Sequence, residues 1–155
     1  SSVATARSGQ AVVTVVDPST ISIAVSPSTK ILLPGGSQLL TASGDQGYGV
    51  TWTLTGPAGV TKADNGLQTT LTVPSAAPTA NLTYIVKATS ALDSTRFGTA
   101  TITVKSMDLD ASGVVDVRDL LIMAKEWGQG ASAASNLKGS GTVDTTDLDA
   151  LLGKL

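Results

Sequence analysis

Residues 108–119 place oxygen-bearing side chains at positions 1, 3, 5, 9 and 12 of a twelve-residue loop: Asp108, Asp110, Ser112, Asp116 and Asp119. Such spacing constrains the backbone more than any apolar pattern does, because a hard divalent cation takes roughly six to eight oxygens and the chain must wrap it tightly to supply them. Gly113 stands at position 6, where the loop turns sharply, and the carbonyl of Val114 falls at position 7. Position 12 is Asp119, one methylene shorter than the bidentate Glu of an ordinary EF-hand. The pattern is that of a calcium loop.

It returns 28 residues later as residues 136–147, with Leu, Ser, Gly, Val, Asp and Asp at matching positions. Each loop runs into an apolar stretch of helical character, residues 120–127 and 148–152, and no helix-length segment precedes either loop. Only loop-plus-exit-helix halves are present. In the second loop, Asn136, Ser140, the Thr142 carbonyl, Asp144 and Asp147 fall at ligand positions, but Lys138 stands where an oxygen donor belongs. A cation beside a cation site is unfavourable. Either Lys138 turns to solvent and leaves the site weak or empty, or its ammonium takes the place of the metal. A metal-free reading is also open, in which these Asp residues cap helices and solvate turns.

A tandem pair of such halves with Asp at position 12, spanning residues 106–155, resembles the dockerin family, type I dockerins in particular. The resemblance implies that Asp108, Asp110, Ser112, Val114, Asp116 and Asp119 hold calcium, Asp116 often through a water. Dockerins pair with a cohesin domain through the exposed faces of the two exit helices. Val117 and Arg118 in the first half, and Thr145 and Thr146 in the second, match the recognition positions. These pairs differ chemically, so the two faces are not interchangeable.

Upstream the hydrophobic period changes from helical to two. Alternating segments at 20–25, 30–33, 37–41, 49–55, 67–73, 82–89 and 99–105 are separated by Pro, Gly, Asp and Asn turns. These seven short strands predict a β-sandwich. Trp52 falls in the third main strand and Tyr84 in the penultimate one, where an immunoglobulin-like sandwich keeps its central aromatic and corner tyrosine. Residues 18–105 resemble bacterial Ig-like repeats, without a Cys pair between the sheets. The fold class is therefore mainly β with a small α domain: an Ig-like β-sandwich over 18–105 followed by a dockerin-like pair of calcium loop-helix motifs over 106–155.

Residues 7–15 match residues 96–104 at five of nine positions, so residues 1–17 read as the last strand of a preceding Ig-like repeat. Such a strand cannot bury its apolar face alone. It is either a remnant of a longer array or a donor strand that adds to another subunit and builds a fibre. At the other junction, Val104, Lys105, Ser106 and Met107 lead from the last strand to the first ligand with no Pro- or Gly-rich linker. The two modules should abut, with Met107 in the contact.

Composition excludes several functions. There is no His and no Cys, and Glu126 is the only Glu, so the usual general bases and thiol nucleophiles are missing. No basic patch interleaves with aromatics, which argues against nucleic-acid binding. Aromatic residues make up 3% of the chain, too few for a stacking platform, and Tyr48 and Phe97 are the loop candidates. Met123 and Trp127 lie at helical spacing and are expected in the core. Asn81 opens an N-glycosylation sequon. No apolar run is long enough to span a membrane, and the chain reads as a mature or trimmed fragment. The expectation is an extracellular or cell-surface adaptor that binds a cohesin-like domain, the alternative being a fibre or surface-layer subunit whose partners are its own copies.

Overall fold

The computed structural model describes residues 17–139 and 141–155. The strand expected within residues 1–16 and the ligand expected at Ser140 lie outside the described residues. After a short 3-10 turn at Pro18–Thr20, eight strands follow: β1 (Ala24–Ser26), β2 (Thr29–Leu32), β3 (Ser37–Ser43), β4 (Val50–Thr55), β5 (Thr61–Asn65), β6 (Gln68–Thr72), β7 (Leu82–Ser90) and β8 (Phe97–Val104). Two helices close the chain, α1 (Val117–Lys125) and α2 (Thr145–Leu152).

The strands form two four-stranded sheets, ordered β1-β3-β6-β5 and β2-β8-β7-β4. All pairings are antiparallel except β2 with β8, where Thr29 faces Thr101 and Leu32 faces Val104 in parallel. The chain crosses between sheets at Pro27, which lacks an N–H and cannot continue a ladder. This order matches the ABED and CFG sheets of an immunoglobulin-type sandwich, with β2 added beside the last strand.

Alternation explains the packing. On β3, β6, β7 and β8 every second residue turns inward, giving a shared core that includes Leu40, Leu71, Val86 and Ile102. Trp52 and Tyr84 lie in it at 4% and 1% exposure, as their strand positions predicted. The Trp52 indole N–H donates to the Gly66 carbonyl at 3.1 Å, so its one polar group is satisfied.

The structure corrects the strand list in two places. The strand expected over 20–25 is shorter, because Thr20 closes the 3-10 turn and only Ala24–Ser26 joins a ladder. β5 was not expected, because Thr61–Asn65 is polar and almost wholly exposed, carrying none of the alternation by which a strand is recognised. It is held at the sheet edge by its ladder to β6, with Thr61 opposite Thr72.

A second buried cluster lies outside the sandwich: Met107, Met123, Leu137, Val143 and Leu151. Leu33 and Ala77 of the β unit pack against it. Met107, expected at the junction, is 1% exposed and is a member of this cluster. Beside it the Ser106 N–H donates to Asn81 Oδ1 at 2.9 Å, and its hydroxyl donates to the Pro78 carbonyl. Trp127 differs from expectation: it is 49% exposed, because α1 ends at Lys125 and the helical face no longer governs its direction.

Candidate metal centre

Both helices begin three residues before the apolar stretches, at loop position 10. Asp116 and Asp144, at position 9, are their N-caps. Asp116 Oδ1 accepts from the Arg118 N–H at 2.7 Å, while Asp119 Oδ2 accepts from the Asp116 N–H at 2.7 Å. Asp144 and Asp147 repeat this reciprocal box, with Asp147 Oδ2 accepting from the Asp144 N–H at 3.1 Å. Positions 9 and 12 thus start the helix as well as facing the loop.

In the first loop the carboxylates of Asp108, Asp110 and Asp119 converge, each offering an oxygen within 4.8 Å of the others. Asp108 and Asp119 are 5% and 0% exposed, and Asp110 is exposed. The backbone fixes all three. Asp119 Oδ1 accepts from the Leu109 and Asp110 N–H groups at 2.6 and 3.2 Å, and Asp108 accepts from Ser112 and Gly113 at 2.9 and 2.8 Å. Hydrogen bonds from Ser112, its hydroxyl foremost, hold the Asp110 carboxyl below the usual carboxylate range. Gly113 has φ +91°, the left-handed turn that position 6 demands.

Three carboxylates this close repel one another, and a divalent cation is the group that converts the repulsion into binding. The donor set fits calcium: hard oxygens, no thiolate or imidazole, and carboxylates anchored from behind by N–H groups. Asp108, Asp110 and Asp119 would hold it. Asp116 stands at the helix cap outside the trio, as a ligand acting through water would. The Ser112 hydroxyl oxygen lies 3.1 Å from the Val114 carbonyl oxygen, so the two sequence-expected oxygens sit side by side.

The second loop repeats the backbone but not the charge. Asn136 is 0% exposed, its Oδ1 accepting from the Gly139 N–H at 2.7 Å and its amide donating to the Gly141 carbonyl at 3.3 Å. Asp147 Oδ1 accepts from the Lys138 N–H at 3.0 Å. Thr142 is exposed, and Asp144 is held below the usual carboxylate range chiefly by the Thr146 hydroxyl, with Lys138 contributing. Lys138 itself is exposed and forms no ion pair with a described carboxylate. This loop gathers only two carboxylates, Asp144 and Asp147.

The four residues at recognition positions are all exposed. Val117 is 62% exposed and Arg118 lies beside it, while Thr145 and Thr146 occupy the matching places on α2. Leu121, one turn on from Val117, is 58% exposed and was not singled out in the sequence. Its i, i+4 spacing from Val117 was the available signal. The corresponding residue on α2 is Asp149.

No catalytic constellation occurs among the described residues. The single Glu, Glu126, is engaged by the Ser135 N–H at 2.9 Å and by the Ser135 hydroxyl. No helix among the described residues is long and apolar enough to cross a membrane.

No protein-family model matches the chain, and no curated protein does. Among solved structures it is similar to a chimeric titin Z1Z2 functionalized with an exogenous peptide from decorin, at 18% identity and TM-score 0.40, over 55% of this chain and 47% of that one. The chain thus spans about half the length of that titin protein. It is also similar to the PapD-like domain 7 of human CEP192, at 10% identity and TM-score 0.40, over 63% of this chain and 94% of that one. A titin M3 domain matches at 15% identity and TM-score 0.34, over 54% and 88%. At these scores the sandwich assignment rests on its own strand order.

Proposed function

We propose that this protein is an extracellular, non-catalytic docking module, in which a calcium-folded dockerin-like pair is presented on a rigid Ig-like spacer to a cohesin-like domain. The observation that carries the reading is the exposed apolar edge of α1. Val117 and Leu121 stand in solvent beside Arg118 on a helix whose start is fixed by the loop. Large apolar side chains grouped with an Arg are the chemistry of a protein interface. The packing of Leu33 and Ala77 against the buried cluster that includes Met107 supports the spacer role, because it leaves little freedom between the units.

Titration of cohesin domains against the intact chain, with calcium and with chelator, tests this. Binding should require calcium and be lost in a Val117→Asp/Leu121→Asp variant. Binding unaffected by that variant would defeat the assignment of α1.

A second reading is a fibre or surface-layer subunit joined by strand addition. It is favoured by β4, an edge strand with no partner on its outer side among the described residues, and by the repeat of residues 96–104, which contain all of β8, in residues 7–15. Every internal position of both sheets is filled, so a donated strand would extend an edge rather than fill a groove. Light scattering on the intact chain and on one starting at Asp17 separates the readings. Large assemblies from the intact chain alone would favour the fibre.

A further inference from the structure

The four strands β2, β8, β7 and β4 contain no acidic residue, although acids outnumber bases in the whole chain by 12 to 10. Their outward positions are dominated by threonine: Thr51, Thr53 and Thr55 on β4, and Thr99, Thr101 and Thr103 on β8. Ladder register aligns these runs through β7, so that Thr51 faces Thr89 and Thr103 faces Thr83. The result is a sheet face rich in hydroxyls, interrupted by the exposed Ile85 and Phe97, whose one outward charged side chain is Lys87. At its β2 margin the second loop overhangs the sheet. There Lys138 and Lys30 border a cleft of about 360 Å³ whose floor is Thr29, Ile31, Thr101 and Thr103. Neither lysine is paired with a described carboxylate.

We infer that this face and cleft bind an acidic polysaccharide, a hydroxyl-rich chain bearing carboxylates. Threonine hydroxyls, each a donor and an acceptor, match sugar hydroxyls, and lysine ammonium groups match the carboxylates. A neutral glycan would need an aromatic platform, which the described face lacks: Trp52 and Tyr84 are buried, and Phe97, 51% exposed, is a single ring with Lys87 Nζ 3.9 Å from its centre. Single-stranded nucleic acid would need the same stacking surface. The inference gives Lys138 a role: the residue that spoils the second calcium loop is the wall of the cleft. It does not depend on the docking assigned to α1.

Affinity electrophoresis in gels containing hyaluronate, dextran or polyadenylate tests this directly, with calcium present throughout. The protein should be retarded by hyaluronate and not by dextran or polyadenylate. Lys138→Glu should weaken the retardation about fivefold, and Thr101→Val/Thr103→Val, which keeps β-branched residues on the strand, should weaken it as well. Val117→Asp/Leu121→Asp should leave it unchanged. Equal mobility in hyaluronate and dextran, equal retardation by polyadenylate, or a Lys138→Glu variant indistinguishable from the parent would each overturn the inference.

Discussion

A β carbon built on Gly139 would lie 1.9 Å from Ile31 Cδ1, so the second loop rests on β2 with only a glycine hydrogen between them. Position 4 of that loop also has φ +72°, a conformation that costs a side-chain-bearing residue free energy. The loop is therefore fitted to the sandwich, and not merely tethered to it.

Gly139→Ala should destabilise the protein by about 1–3 kcal/mol, the left-handed backbone cost of a side-chain-bearing residue together with that of displacing the Ile31 methyl. Introducing Ile31→Ala first removes the colliding methyl. The cost of Gly139→Ala in that background should shrink to the backbone component, and a double-mutant cycle in urea measures the difference. Additive effects would mean that the contact is not the cause.

Ala111 occupies the same position in the first loop and has φ +56°. Ala111→Gly should stabilise the helical unit by roughly 0.5–1 kcal/mol, the left-handed strain relieved exceeding the extra freedom of the unfolded glycine. Thermal melts should move upward. A fall would show that the strain is absent.

Lys138 is the residue that separates the two loops chemically. Lys138→Asp places a carboxylate at position 3, where the first loop has Asp110, and should give the second loop a calcium site. Calcium stoichiometry by calorimetry should rise from one to two per chain. An unchanged stoichiometry would mean that the second loop lacks ligands at other positions too.

Glu126 ties the end of α1 to the connection between the loops through Ser135. The Ser135 hydroxyl, then its N–H, hold the carboxyl below its ordinary value of 4.5. A depressed folded value contributes stability that is full above the unfolded value and is lost as pH falls through the folded one. Glu126→Gln should lower stability at neutral pH and remove that part of the acid dependence. Parallel pH profiles of parent and variant would contradict this.

Much of the architecture was legible because it is periodic. Residues 37–41, 82–89 and 99–105 lie on alternating stretches that became β3, β7 and β8, and Trp52 and Tyr84 were placed in the core by strand position alone. β5 was not legible, since an edge strand of Thr, Lys, Ala, Asp and Asn is held by ladder bonds and not by burial. Both helices begin at Val117 and Thr145 because an N-cap Asp sets the start whatever the apolar pattern says. The convergence of Asp108, Asp110 and Asp119 follows from loop spacing. The seating of Gly139 on Ile31 joins residues far apart in the chain, and no local pattern announces it.

Calcium binding by the first loop is the claim on which the docking reading stands. The helical unit has a small core and no disulfide, the class of fold that needs a further staple. Asp110 is the discriminating residue, because it is exposed and caps no helix. Calorimetric titration of calcium into the intact chain and into Asp110→Ala should give one site per chain in the first and a loss of that site in the second, with calcium raising the melting temperature of the parent only. No calcium uptake by the parent, or uptake undiminished by Asp110→Ala, would contradict the account.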